Sequence, residues 1–126
     1  MQEFMLFIRK SARSEETLSQ DRHQMFLKAC ETYIGKLKQE GKLISAQPIE
    51  WAGKTISLTG GTWHEDPFNE GREVIGGYYH ITARDLEEAL AIARLNPEFE
   101  YNPGTRIEVR GIKTKEKATG FVYPKK

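Results

Sequence analysis

From Glu3 the chain reads EFMLFIRK, an apolar run with aromatic and branched members bounded by charges, and it predicts a strand over 2–10. A period of two puts Phe4, Leu6 and Ile8 on one face and Met5, Phe7 and Arg9 on the other. Both faces are largely apolar, whereas a small antiparallel sheet normally leaves one face wet. After a polar stretch over 11–18 the period changes. Met25, Phe26, Ala29, Cys30, Tyr33, Ile34 and Leu37 recur at intervals of three and four, the stripe of an amphipathic helix. Ser19 is placed to cap its start, Asp21 falls in the first turn, and Gly41 suits a left-handed cap at its end. These signals predict a helix over 19–40.

LISAQPIEW after Lys42 and KTISLT at 54–59 read as a strand and a returning hairpin strand turning at Ala52-Gly53, with Pro48 marking a break or an edge. Residues 60–72, GGTWHEDPFNEGR, read as an aromatic loop, and a loop of this length in a compact domain is often functional. EVIGGYYHIT at 73–82 is the next strand, with a bulge or a close backbone approach expected at Gly76-Gly77. Leu86, Ala89, Leu90 and Ala93 give a second helix over 84–95, started by Thr82 or Asp85 and ended at Asn96-Pro97. Strict alternation over 105–112 gives a last strand.

The order β-α-β(-hairpin)-β-α-β is that of a ferredoxin-like split βαβ fold, an α+β architecture with an antiparallel sheet and both helices on one face. Its bare face would carry Met5 and Phe7, so a homodimer packed sheet to sheet is expected. On strand parity, Phe7, Arg9, Tyr78, His80, Arg106, Glu108 and Arg110 share that face. Taking the first and third strands as parallel neighbours gathers Arg9, His80, His23 and Arg106 at one end.

Composition narrows the class. Nineteen basic and 18 acidic residues leave a net charge of +1, against the strongly basic balance of a nucleic-acid binder. The tail from 113 holds five lysines, so residues 1–112 are read as the domain and 113–126 as a lysine-rich, solvated extension. The single cysteine, Cys30, forms no internal disulfide and reads as a small buried hydrophobe. With three histidines beside it, the usual structural zinc sets are not available. No run approaches a membrane span, and the opening is charged too soon for a signal peptide, so a cytoplasmic protein is expected. No glycine-rich phosphate loop follows a strand, and no cofactor is expected.

EFMLFIRK, the Leu18-Ser19 helix start, Gly41, DPF at 66–68, EVIGGYYHI at 73–81, DLEEALAIA at 85–93, NP at 96–97 and IEVRGI at 107–112 together resemble the YCII-related family, in the branch marked by an Asp-Gly-Pro-Phe loop. The resemblance covers about residues 2–112. It implies a ferredoxin-like fold that dimerises into an α/β barrel and is linked to small-molecule chemistry. Where the branch has Asp-Gly-Pro-Phe, this chain has Glu65-Asp66-Pro67-Phe68. A helix-one histidine proposed as catalytic in a related branch, working with an aspartate, falls near Cys30, with His23 two turns earlier. That pair is therefore not carried over.

These readings converge on a small-molecule-binding protein. Its enzymatic form would be a lyase or isomerase using His-based proton transfer on an anionic or aromatic substrate; the alternative is a catalytically silent dimeric regulatory or ligand-sensing domain. His80 is the candidate acid/base group, because imidazole titrates near neutrality. Arg9 and Arg106 are candidate anion holders, and Tyr78 a hydrogen-bond partner or stacking surface. Trp63, His64, Glu65 and Phe68 are read as a loop that closes over the site. The competing structural readings are a hydrogen-bonded interface histidine, a salt-bridged face at Arg106, Glu108 and Arg110, and a solvent-side His23. A metal at Trp63–Asp66 is disfavoured because consecutive residues converge poorly on one ion. RNA-recognition motifs share the topology, but their basic and phenylalanine pattern is missing from GGYYHI, and the first 111 residues are net acidic.

Overall fold

The computed structural model describes residues 1–11, 19–67 and 73–123. In chain order the elements are β1 (Gln2–Ser11), α1 (Gln20–Gln39), β2 (Leu43–Pro48), β3 (Thr55–Thr59), β4 (Thr62–Asp66), β5 (Glu73–Ala83), α2 (Leu86–Arg94), α3 (Glu98–Tyr101) and β6 (Arg106–Gly111). Four strands form one sheet in the order β2-β5-β1-β6, and every neighbouring pair is antiparallel. This is the ferredoxin-like α+β arrangement that the element order predicts.

The local signals act where the sequence puts them. The Ser19 side chain accepts a hydrogen bond from the Arg22 amide and starts α1, and Gly41 takes a φ of 70° just past its end. Asp85, not Thr82, caps α2 by accepting from the Glu88 amide. Phe4, Leu6, Ile8, Tyr79 and Ile81 are buried on one sheet face against Leu37 of α1 and Ala89, Ile92 and Ala93 of α2, with Ile107 and Val109 partly buried beside them. Both helices therefore cover the same face, and the alternation within β1 and β5 separates a dry side from an open one.

Three expectations need correction. First, β1 and β5 are antiparallel, not parallel. In a split βαβ unit the crossover makes β1 and β2 parallel, and β5 slots between them, opposed to both. Second, β3 does not return against β2. It pairs with β4, so residues 62–66, read as loop, are strand. Gly60 and Gly61 have φ of 57° and 78°, the doubly positive turn that suits a two-residue hairpin. Third, the segment after Pro97 adds a short helix, α3, which its four residues were too few to announce.

The expected bulge is present. Ile8 pairs with Gly77 and Arg9 with Ile75, leaving Gly76 as the extra residue in β5. It lies before Tyr78, so the parity of Tyr78 through Ala83 is kept. The tail beyond β6 folds back in part: Lys115 bridges to Val122, and the Tyr123 hydroxyl donates to Glu116, which also pairs with Lys113.

Candidate functional site

The open sheet face divides into two groups. Arg9 donates to Glu73 (3.2 Å) and Glu108 (2.8 Å), Arg106 pairs with Glu73 (3.0 Å), and Arg110 reaches Glu108 (3.6 Å). Three guanidinium groups thus share two carboxylates across β5, β1 and β6. The second group lies toward the other end of β1. His80 pairs with Glu3 through Nε2 at 2.8 Å, and the Tyr78 and Ser45 hydroxyls bond to each other at 2.9 Å. His80 stands opposite Met5 while Arg9 stands opposite Ile75. Four residues of strand separate Met5 from Arg9, about 13 Å. The convergence of His80 with Arg9 and Arg106 expected from parallel strands is therefore not formed, because antiparallel pairing sends the end of β5 to the start of β1. His80 does lie on the open face, as parity predicts.

The loop residues are placed differently from expectation. Trp63 and Glu65 face one side of the β3–β4 hairpin with Ile56 and Leu58, and His64 faces the other with Ser57. All are exposed, and Glu65 pairs with Lys54 at 2.9 Å. Phe68 lies outside the described residues. Among the described residues no three His, Cys, Asp or Glu side chains come together as a metal-holding group.

A concavity lies on the other side of the sheet. Between α1 and the β2–β5 edge runs a cleft of about 660 Å³. Phe26, Leu27 and Ile34 of α1 give it one apolar wall, and Ile8, Gly76 and Gly77 of the sheet give the other. This volume lies within the range of small-molecule sites. Glycine keeps the sheet wall low. A Cβ on Gly76 would come within 3.1 Å of the Lys10 stem, and one on Gly77 within 3.1 Å of the Gln47 carbonyl. Gly35 on the helix wall has nothing within 4 Å of where its Cβ would be.

His23, Glu31, Lys38 and Gln47 also line the cleft, and a connected polar group is gathered at one end of it. Lys10 pairs with Glu98 at 3.2 Å, both well shielded, and its ammonium lies 5.7 Å from the Phe26 ring centroid. Glu98 is also held by the Asn102 amide, which donates at 2.7 Å. Cys30 and Tyr79 complete this end. Burial, reinforced by the Glu98 charge and opposed by Lys10, pushes the Cys30 thiol up to about 11. Burial, with the neighbouring Cys30, pushes Tyr79 up to about 12, while the Asn96 amide pulls the other way. Tyr33 behind them is also raised by burial, and its hydroxyl donates to the Ile92 carbonyl at 2.7 Å. At neutral pH this end of the cleft therefore presents a thiol and a phenol beside an ion pair. The Asn96 Nδ2 is buried with no hydrogen-bond partner, although its Oδ1 accepts from the Glu98 amide.

A family model, the YCII-related domain, matches residues 3–113, from β1 through β6. The chain belongs to the YCII-related family. No match is found among the curated proteins. In this YCII-related chain Cys30 of α1 lines the cleft. His23 lines the same cleft two turns earlier on α1 and is exposed.

Lys10, Glu98 and Tyr79 were missed as site residues. Lys10 follows the dry-side parity of Phe4, Leu6 and Ile8, which was a usable signal: a lysine in step with a buried face needs a partner. Glu98 sits in a helix too short to show periodicity, so nothing in the sequence pointed to it.

Proposed function

We propose that this YCII-related protein binds a small molecule in the cleft between α1 and the β2–β5 edge. The observation that carries the reading is a cleft of about 660 Å³ between an apolar stripe of α1 and the low glycine wall of the sheet. The open face, by contrast, has its arginines matched to carboxylates. The test is binding of an uncharged fluorophore, phenylnaphthylamine, to the wild-type protein and to Gly35→Phe. The helix tolerates replacement of this glycine, and the new ring would fill the cleft. Loss of at least ten-fold in affinity with an unchanged circular dichroism spectrum supports the reading, and equal affinity overturns it.

A second reading, that the protein is a lyase or isomerase acting by proton transfer on an anionic or aromatic substrate, is favoured by one observation. His80 and Glu3 stand 2.8 Å apart, the spacing of an imidazole oriented by a carboxylate. A homodimer packed through the open faces would enclose this pair. Met5 and Phe7 are only half-buried there, and Ile75 is 38% exposed. His80→Gln abolishing turnover while leaving ligand affinity intact would establish proton transfer. Unchanged turnover would return His80 to a structural role, and absence of turnover in the wild-type protein would leave a ligand-sensing cytoplasmic protein.

A further inference from the structure

We infer that the cleft selects an anion with a flat apolar body, a small aromatic or unsaturated carboxylic acid, its carboxylate received at the polar end by Lys10 and the Tyr79 hydroxyl. This rests on the cleft being a binding site and says what the site prefers.

The polar end holds both signs of charge, and the partners already engaged distinguish them. Glu98 uses both carboxylate oxygens: Oε1 accepts from Asn102 and Oε2 pairs with Lys10. An incoming ammonium would share this one carboxylate with the two donors it already holds and would lie beside the Lys10 ammonium. Lys10 has three donors and one carboxylate partner, with the Phe26 ring beside it. It therefore keeps donor capacity toward the cleft that it lines.

The Glu98–Lys10 pair also lowers the cost of burying the ammonium before the ligand arrives. The site is preorganised, and ligand binding need not desolvate a bare cation.

Tyr79 supplies the second donor. Its hydroxyl is raised in pKa and stays protonated, so it offers an O–H to an acceptor and no charge. The buried Asn96 amide lies beside it with an N–H that has no hydrogen-bond partner. A buried donor without a partner is costly, and a Tyr79 hydroxyl whose O–H is turned to a bound carboxylate leaves its oxygen free to accept from that N–H. Asn96 is then a positioning residue that acts through Tyr79. The walls fit the rest of the ligand. Phe26 and Ile34 face the backbone of Gly76 and Gly77 across the cleft, a slot in which a flat ring contacts main chain without meeting a Cβ.

The experiment uses displacement of phenylnaphthylamine by three probes of one shape: naphthoate, naphthamide and naphthylmethylamine. Naphthoate is expected to displace best. The paired variant Lys10→Met with Glu98→Gln removes both charges without stranding either. It should weaken naphthoate about ten-fold or more while leaving the uncharged fluorophore within about two-fold. Tyr79→Phe should weaken naphthoate about three- to ten-fold and naphthylmethylamine not at all. Asn96→Asp, which replaces the N–H by an acceptor, should lower the naphthoate preference without changing fluorophore affinity. Equal or better displacement by the amine, or naphthoate affinity unchanged in the paired variant, overturns the inference and leaves the cleft a binding site. Failure of both the fluorophore and naphthoate to bind the wild-type protein overturns the cleft reading and the inference together.

Discussion

The two faces of the sheet carry charge in opposite ways. On the open face Arg9, Arg106 and Arg110 share Glu73 and Glu108 at the surface, where water screens each pair. On the covered face the Lys10–Glu98 pair sits at one end of the cleft, with side chains 18% and 11% exposed. Many charges on a wet face do little that solvent would not do. A pair shielded from water at a cleft acts on whatever enters it with less screening. Charge density along the sequence points to the open face, whereas the shielded pair lies on the other.

The sharpest way to break the comparison is through adjacent residues of β1. Leu6 is fully buried on the covered face, and Leu6→Ala should cost about 2–5 kcal/mol in denaturant unfolding. Phe7 is only half-buried within one chain, so Phe7→Ala should cost clearly less in a monomer. In a sheet-to-sheet dimer its main effect would instead be a concentration-dependent loss of mass in light scattering. A large, concentration-independent loss from Phe7→Ala would show that the two faces are packed alike.

Charge removal comes next. Glu98→Ala strands Lys10 in the cleft and should cost about 3 kcal/mol, whereas Glu108→Ala on the open face should cost less than about 1 kcal/mol. Equal costs in parallel urea melts would mean that the cleft pair is as well solvated as the surface network.

The same contrast explains what the sequence could and could not reveal. Strand parity from Phe4 to Ile8, the helical stripe from Phe26 to Leu37, the Ser19 cap and the Gly41 end are local rules, and local rules were legible. Strand direction was misjudged because it depends on which strand the crossover brings alongside β1, a long-range fact. The Gly60-Gly61 turn was legible in principle, and was hidden by reading two glycines as the opening of a loop. The cleft was not legible: it arises because α1 stands away from the β2–β5 edge, and helical periodicity reports which residues face inward, not how far off they sit. Glu98 joins it from a one-turn helix, and Lys10 from beside the Gly76 bulge.

Titration should also separate the two faces. Cys30 is raised from 9.0 to about 11 and Tyr79 from 10.0 to about 12, with Tyr33 raised as well, all mainly by burial on the covered side. The folded protein holds these protons more tightly than the unfolded chain does. Between about pH 9 and about pH 12 the unfolded state therefore deprotonates first, so stability is full below pH 9 and falls as pH rises through this range. Thermal melts should show that fall, and Cys30→Ala should shrink it. The raised thiol should also react with iodoacetamide at neutral pH on the order of a hundred-fold more slowly than in the unfolded chain, following its smaller thiolate fraction. A melting temperature flat across the alkaline range would mean that these groups are wet.

The smallest effects distinguish the two walls of the cleft itself. Gly35 lies inside α1 with nothing within 4 Å of a Cβ, so Gly35→Ala gains helix propensity without a clash and should stabilise by roughly 0.5–1 kcal/mol. Gly77 lies on the sheet wall, where a Cβ would sit 3.1 Å from the Gln47 carbonyl oxygen and 3.4 Å from the Pro48 Cα, both backbone atoms of β2. Gly77→Ala must push β2 away from β5 and should destabilise, since packed backbone yields less readily than a side chain. At Gly76 the near neighbour is the flexible Lys10 stem at 3.1 Å, so Gly76→Ala should fall between the two and should disturb the Lys10–Glu98 pair more than the sheet. The expected order of melting temperatures is therefore Gly35→Ala above wild type, then Gly76→Ala, then Gly77→Ala. If Gly77→Ala proved neutral, the sheet wall would be loose enough to move, and the cleft would owe its width to that freedom and not to the missing side chains.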